Sequence, residues 1–478
     1  MIMAAAMMLG LGVTASAQQN LRSGYFLDGY TYKYKMNPSA QGERGFFAIP
    51  VLGNLSIGLE SNLALSNFVY PGENGPVTFL HPSVSDATFL DGLKDYSEIN
   101  ANINTSILAA GFRIGKSYHT VDLSLRTDIG TALPKDMFRF MKVGASDGNT
   151  MYNFSNIAAK ADARLELAYG YSRPITWWLT AGARVKLLMG LAKADMCLDE
   201  MNLALNADAW TVKASGELAL SAPVTIPTKA ESADPASYTY SPDALDWSNI
   251  GLPSTSELLS IIKNPSNFGA AIDLGLTAYF LDYFTASASI LDLGFMKWNN
   301  AMTAATPTTS WTFDGFKDLG VEGGESIGNQ LSGMGEELLN SFNFQKTSEA
   351  AAETSRLAMT LHVGLEARMP FYERLSFGIL GTRRFDGNFS WTEGRVAANI
   401  APVNWLSATA NYAVSDFGHS VGAALNLHTS FITLFVGTDS LLPFSNVTPQ
   451  FIPIDSWNTN VTVGLNLALG KYNGRFSD

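Results

Sequence analysis

Apolar and polar residues alternate with period two along most of the chain. From Leu179 the apolar Ala181, Ala183, Val185, Leu187 and Met189 keep one parity, and Thr180, Gly182, Arg184 and Lys186 keep the other. The same alternation sets Leu361, Val363, Leu365 and Ala367 against His362, Gly364, Glu366 and Arg368, and Val121, Leu123 and Leu125 against Asp122, Ser124, Arg126 and Asp128. Successive side chains of a strand point to opposite faces, so each stretch predicts a strand with one apolar and one polar face. One strand changes phase. Ala286, Ala288 and Ile290 share a parity, whereas Leu291, Leu293 and Phe295 follow on the other, which predicts a β-bulge near Ile290.

Such stretches fall at residues 54–65, 103–114, 118–129, 160–171, 177–190, 268–280, 284–297, 357–369, 374–385, 389–400, 404–414, 418–428, 430–438 and 459–470. Their connections alternate in length. Short turns lie near 115–117, 173–176, 281–283, 370–373, 401–403 and Thr429, and long segments at 66–102, 130–159, 191–267, 298–356 and 439–458. An even set of strands with short turns at one end and long loops at the other predicts an all-β fold, a transmembrane antiparallel β-barrel of about 14 strands. The turns are then periplasmic, and the long loops, some with short helices, extracellular. Residues 201–205 and 211–220 read as a hairpin projecting beyond the membrane; counted as spanning, they raise the total to 16. Trp177, Trp178, Tyr283, Phe284 and Trp405, with Phe371 and Tyr372, gather at the short turns as an interfacial aromatic girdle.

A charge on the lipid face of such a barrel costs about 2–4 kcal/mol at the midplane, so the charged parity faces the lumen. This assigns Asp122, Arg126, Arg164, Glu166, Arg184, Lys186, His362, Glu366 and Arg368 to a polar network inside the barrel. Pairing Tyr171 with Leu179 would set Glu166 opposite Arg184 and Arg164 opposite Lys186. A soluble β-sandwich also has alternating strands, but it accounts poorly for the Gly- and Ala-rich apolar faces and for an exported N-terminus.

Export is read from the first residues. The apolar stretch from Ile2 to Val13 is too short to span a bilayer, and Ala15-Ser16-Ala17 forms an A-x-A cleavage site. Residues 1–17 are therefore a signal peptide, 18–50 an N-terminal periplasmic or plug segment, and 51–478 the barrel. No Lys or Arg precedes the apolar stretch, so the start lies upstream of Met1 or the signal is atypical. Composition narrows the class further. Hydrophobic residues make up 46% of the chain, yet no later run nears the roughly 18 apolar residues of a membrane helix. Cys197 is the sole cysteine, which excludes an internal disulfide and a lipoprotein. A net charge of −12 with no basic run argues against nucleic-acid binding.

Candidate chemistry is thin. Gly324-Glu325-Ser326-Ile327-Gly328 fits the G-x-S-x-G nucleophile pattern, but lacks the preceding strand the pattern needs; with 42 glycines, chance explains it, and a loop helix is the reading. His362 and Glu366 share a strand face about 13 Å apart, too far to chelate one ion unaided. His419 and His428 sit near strand ends without a Ser or Asp tied to them, and Cys197 has no nearby His. Phe89, Leu93 and Tyr96 in one loop, with Leu258, Leu259, Ile261 and Ile262 in another, make short apolar helical faces. They could cover the mouth, form a ligand entry, or simply pack the loops. No enzyme, cofactor or metal site is expected.

The stretches at 36–46 (Met36-Asn37-Pro38-Ser39-Ala40-Gln41-Gly42-Glu43-Arg44-Gly45-Phe46), 264–276, 289–295 and 417–422 resemble a family of Gram-negative outer-membrane proteins, a domain of unknown function allied to the FadL/PorV class of barrels. Asn37 and Pro38 match the Asn-Pro-Ala common near the start of FadL-like barrels. The resemblance implies a 14-stranded barrel in the outer membrane whose N-terminal segment folds into the lumen as a plug. It also implies either passage of a small hydrophobic molecule or, alternatively, a non-transporting barrel that binds a partner in protein secretion or surface assembly. The expected partners are outer-membrane lipid and a hydrophobic small molecule or an envelope protein.

Overall fold

The computed structural model describes residues 20–73, 75–144, 149–206, 208–221, 225–232, 243–247, 249, 251, 260, 263–307, 310–313, 343–441, 454 and 457–470. The signal peptide, the motif at 324–328 and Leu258, Leu259, Ile261 and Ile262 lie outside the described residues.

The alternating stretches are strands. In chain order β1 comprises Gly45–Ala48 and Leu55–Ser61, β2 Tyr96–Ile114, β3 Ser117–Pro134, β4 Ile157–Pro174, β5 Leu179–Asn206, β6 Trp210–Ser221, β7 Asn267–Phe280 and β8 Phe284–Ala305. Then follow β9 Gln345–Arg356, β10 Met359–Met369, β11 Tyr372–Phe385, β12 Trp391–Val403, β13 Leu406–Ser415, β14 Gly418–His428, β15 Ile432–Thr438 and β16 Thr459–Leu469. Apart from β6 and β9, each strand pairs antiparallel with the next, and β1 pairs with both β2 and β16, so fourteen strands close on themselves. β6 pairs with β5, the far end of β8 and Ser310–Phe313, while β9 pairs with β8 and bridges Ala244 through Gln345. The hairpin read at 201–220 therefore projects from the barrel, and the strand count is fourteen, not sixteen.

Parity decides the faces. Val185, Leu187, Leu276, Val363, Ile379, Val396 and Val436 are exposed on the outside, an apolar belt that water would not tolerate and hydrocarbon does. Trp177, Trp178, Phe284 and Trp405 are exposed at the short-turn end and Tyr283 is half-buried there. The other parity is buried, because the lumen is filled.

Two details of register depart from simple alternation. Tyr171 pairs with Ala183 rather than Leu179, because β4 continues to Pro174 and closes on Thr180 across a tighter turn. Glu166 consequently faces Leu188, and Arg164 faces Gly190, so the two expected cross-strand pairs do not form. The four-residue slip is even, so every side chain keeps its face. The phase change near Ile290 is a bulge: Ile272 pairs with Leu293 but Leu274 with Ile290, and Asp292 takes a φ of 60°. That extra residue turns the Asp292 carboxylate into the lumen.

β1 is also interrupted. Between its halves the chain leaves the pairing pattern at 49–54, yet its backbone stays satisfied. Val51 N–H donates to Ser106 O at 3.1 Å, Ser106 N–H to Asn54 O at 2.9 Å and Leu465 N–H to Leu52 O at 2.9 Å. Gly45–Ala48 thus belong to the wall, with Phe46 and Ala48 inward and Phe47 outward. The interior segment ends at Arg44 rather than Pro50; four residues are too few to show a period.

Strands β5, β6, β8 and β9 extend past the belt as a sheet with its own core, in which Tyr152, Phe154, Ile157, Leu198, Leu218, Leu245 and Phe344 are buried. A second core packs Phe89 and Leu93 with Leu63, Phe79, Val84 and Phe138, under α1 (Asp86–Asp91) and α2 (Lys135–Val143). Phe89 and Leu93 are thus loop packing, whereas Tyr96 stands exposed on β2. Cys197 lies in the projecting part of β5, beyond the belt. Burial, together with Asp199 Oδ1 accepting its S–H hydrogen bond at 3.2 Å, pushes the thiol up to about 12. N-ethylmaleimide at pH 7.5 is expected to leave Cys197 unmodified while a small free thiol is consumed, and Asp199→Asn to accelerate labelling; mass spectrometry reads both.

Candidate functional site

Residues 20–44 run through the lumen. Two 3-10 turns, Arg22–Gly24 and Lys33–Lys35, shorten the path, and polar contacts tie it to the wall along its length. Arg22 N–H and Ser23 N–H donate to the Asp439 carboxylate at 3.0 and 2.5 Å, Tyr25 Oη meets Ser287 Oγ at 3.0 Å, and Tyr32 O–H donates to Asn466 Oδ1 at 2.7 Å. Toward the short-turn end Arg44 Nη1 donates to Thr429 O at 2.9 Å.

The Asn37-Pro38-Ser39 turn has a local cause. Asn37 Oδ1 accepts from Ser39 N–H at 3.0 Å and Ser39 O–H at 2.7 Å, an Asx turn around a proline that pre-sets its own φ. Asn37 Nδ2 then donates to Thr277 Oγ1 at 3.2 Å. The wall is shaped for this turn. Gly182 and Gly275 are paired neighbours facing inward; a Cβ on the first would collide with Pro38 O and on the second with Asn37 Oδ1. Gly364 and Gly378 make the same room for Tyr25 and Phe26, and Gly422 and Gly437 for Ser23 and Leu21.

Between segment and wall lies an apolar seam of Leu21, Tyr25, Phe26, Leu27, Tyr30, Tyr32, Tyr34, Met36, Phe46 and Phe435. Tyr30 meets Phe435 edge-on at 5.0 Å and Tyr32 meets Phe46 at 5.6 Å.

The rest of the lumen is polar, with Asn, Ser and Thr side chains beside a large ionic part. One continuous chain of ion pairs starts at Lys35, which lies 3.4 Å from Asp122. Arg184 joins Asp122 at 2.5 Å to Asp273 at 3.0 Å, and Lys186 joins Asp273 at 2.8 Å to Asp292 at 2.5 Å. Arg126 joins Asp292 to Glu166 at 3.1 Å, Glu166 meets Arg164 at 3.2 Å, and Arg164 reaches Asp162 and Asp128. Arg384, Asp386 and Lys160 complete it. A second cluster gathers Glu60, Glu393 and Asp439 around Arg22, with Arg395 behind. Taking a charge from water costs several kcal/mol, which only such multiple pairing offsets.

Six of the nine lumen residues read from parity (Asp122, Arg126, Arg164, Glu166, Arg184 and Lys186) fall in that chain. His362 stands apart, its Nδ1 2.9 Å from Thr382 Oγ1 and its ring 5.8 Å from Tyr25. Glu366 and Arg368 stand near the short-turn end, where Arg368 pairs with Asp28 at 3.1 Å. Asp273, Asp292, Lys35, Arg22, Glu60, Glu393, Arg395 and Asp439 were not singled out by sequence. Asp273 was readable, since it alternates with Ile272 and Leu274; Asp292 was hidden by the bulge. Among the described residues no group of His, Cys, Asp and Glu could hold a metal ion.

Lys35 supplies a test of docking. Its Nζ also donates to Ser124 Oγ at 2.9 Å and Ser106 Oγ at 3.0 Å, but burial outweighs Asp122 and lowers the ammonium to about 8. An undocked Lys35 holds its proton up to its ordinary 10.5, so between about 8 and 10.5 docking releases a proton and tightens as pH rises. Proteolysis of the segment is expected to slow from pH 7.5 to 9.5 relative to Lys35→Met at each pH. A constant ratio would refute this.

Cavities in the ionic part are small, about 50 Å³ beside His362 and Arg384 and about 20 Å³ beside Lys35 and Asp122. They hold a few waters at most. At the short-turn end a cleft of about 330 Å³ opens between the segment and β7, β8 and β10, with Tyr25 and Phe26 shared between it and the apolar seam.

The profile of DUF5723, a family of unknown function, matches residues 38–439 of this chain. The chain belongs to this family. The span shared with DUF5723 opens at Pro38 and takes in the wall as far as β15, leaving Arg22 to Asn37 and β16 outside it. No curated protein sequence matches the chain. Among solved structures, this DUF5723 member is similar to the *P. putida* toluene transporter TodX, at 9% identity over 96% of both chains with a TM-score of 0.40. It is similar to the *Ralstonia pickettii* toluene transporter TbuX at 10% identity, over 91% of this chain and 92% of that one, with a TM-score of 0.39. A *Pseudomonas aeruginosa* FadL homologue matches at 9% identity over 95% and 98%, with a TM-score of 0.37.

Proposed function

We propose that this barrel sits in the outer membrane and passes a small hydrophobic molecule, with residues 20–44 as the plug that must shift for passage. The aromatic seam carries the reading. It is an apolar route through a lumen otherwise filled by polar side chains and ion pairs, and it continues into the cleft through Tyr25 and Phe26. A hydrophobic solute would be repelled by the ionic chain but accommodated along rings already desolvated by the segment. The segment's backbone is held to the wall by side-chain contacts over wall glycines rather than by strand pairing, which suits an element that leaves without unfolding the wall. The test uses intact cells, whose lipopolysaccharide leaflet slows hydrophobic probes. Expression should raise uptake of 1-N-phenylnaphthylamine, and a Ser39→Cys/Thr277→Cys disulfide, which pins the turn to β7, should abolish the gain. Unchanged uptake in the pinned barrel would overturn the reading.

A second reading, a barrel that holds an envelope partner, is favoured by the projecting sheet and its separate core. Exchanging the β5–β6 tip for a two-residue turn is expected to remove a cross-linked envelope protein while leaving probe uptake unchanged.

A further inference from the structure

The cleft at the short-turn end contains a buried group with unmet bonding capacity. Glu366 lies on the inward face of β10, 7% exposed, and lines the cleft. Its Oε1 makes no hydrogen bond. The nearest cation, Arg368 Nη2, is 3.6 Å away, beyond hydrogen-bond reach, because the guanidinium is turned onto Asp28 at 3.1 and 3.4 Å. A buried acceptor left open is unfavourable, the more so when it is charged, so the cleft favours an occupant that donates to it.

The other walls define the rest of that occupant. Tyr25 and Phe26 of the segment and Tyr279 on the inward face of β7 line the cleft, which gives an aromatic surface; Phe284 borders it from the outward face of β8, where its ring stacks on Phe280. The ionisable side chains Lys33, Asp282, Glu366 and Arg368 line the cleft two against two, which disfavours a carboxylate head; because Arg368 is engaged by Asp28, an ammonium is the head that competes with a hydroxyl there. Its volume of about 330 Å³ falls at the small end of the range in which ligand pockets occur, about 300–1,000 Å³.

We propose that this cleft binds a small amphipathic molecule, an aromatic or otherwise apolar body bearing a hydroxyl that donates to Glu366. The proposal deepens the passage reading by naming the solute class, and rests on it only for the claim that the bound molecule goes on to cross. Since one wall of the cleft is the segment itself, the site exists only while the segment is docked.

The experiment uses the full chain in lipid nanodiscs with three probes of one carbon skeleton: 2-phenylethanol, ethylbenzene and phenethylamine. Saturation-transfer NMR and calorimetry read binding, with empty nanodiscs subtracted. The alcohol is expected to bind about tenfold or more tightly than ethylbenzene, the ratio that one hydrogen bond to a charged acceptor sustains. Glu366→Leu should bring that ratio near one without weakening ethylbenzene. Thr285→Trp, which fills the cleft and leaves every charge in place, should abolish binding of both; it keeps the proposal testable if Glu366→Leu does not fold. Equal affinity for alcohol and hydrocarbon, preference for the amine, binding that survives Thr285→Trp, or no binding at all would each overturn it. Selective binding without an effect of Glu366→Leu on uptake by cells would leave the site standing and sink the passage reading.

Discussion

Gly182→Leu combined with Gly275→Leu is expected to produce a correctly closed barrel with its N-terminal segment driven out of the lumen. Both glycines face inward on paired strands, so the lipid face is unaltered and leucine suits a strand better than glycine does. Inside, each new side chain claims the space that Pro38 O or Asn37 Oδ1 occupies. Pro38 O is backbone and cannot swing aside as a side chain can, and at Gly275 the Pro38 nitrogen lies close beside Asn37 Oδ1. Overpacking costs about 1–3 kcal/mol per site, so the pair shifts docking by roughly thirtyfold or more. Trypsin should then cut at Arg22, Lys33 and Lys35, which are sheltered or half-buried in the docked segment, and planar-bilayer recordings should show a steady conductance absent from the parent. Gly394→Leu is the control, since a Cβ there meets open space. A double variant as protected and as silent as this control would refute the docking geometry.

Lys186→Met should destabilise the barrel by about 3–5 kcal/mol, the range for breaking a buried pair from one side. Lys186 is nearly inaccessible and holds Asp273 and Asp292 at 2.8 and 2.5 Å. Methionine keeps the volume but leaves two carboxylates facing each other with Arg184 and Arg126 overcommitted. Adding Asp292→Asn removes the surplus charge and should restore most of the loss, because matched removal of both partners is far less costly than removal of one. Urea midpoints in the same micelle, read by the mobility difference between folded and unfolded barrel, measure both. Equal stability of the two variants would mean that this stretch of the lumen is wetter than its burial indicates.

The wall was legible because alternation is a local signal that the membrane makes obligatory. A slip of four residues between β4 and β5 escaped notice, yet its even parity left Arg184 and Lys186 inside, where the sequence had placed them. Partner choice was another matter. Arg184 reaches Asp122 two strands away on β3 because lumen side chains lean across the bore, a geometry that period two does not encode, whereas Asp273 is its direct cross-strand neighbour on β7, which only the register reveals. Asp292 was masked by the very phase change that aims it inward. The segment carries no period, so Arg22 and Lys35 were invisible as lumen residues. Only Asn37 and Pro38 stood out, by resemblance and not by period, and what receives the turn they make, two glycines about ninety residues apart in sequence on β5 and β7, has meaning only once those strands are neighbours.

The interruption in β1 has a bearing on how such walls change over generations. Seven steps from Ala48 to Leu55 face three from Asn466 to Val463 on β16, an excess of four residues. Four is even, so Phe46 and Ala48 before the excursion and Ser56 and Glu60 after it all point inward. Excising Pro50 to Gly53 would therefore join the halves into one uninterrupted strand with neither face nor partner altered. The excursion is modular: a deletion of that length erases it in a single genetic event, whereas losing three or five residues would turn Glu60 toward the lipid. Insertions and deletions in this strand should accordingly come in even lengths, a rule written by the pleat itself.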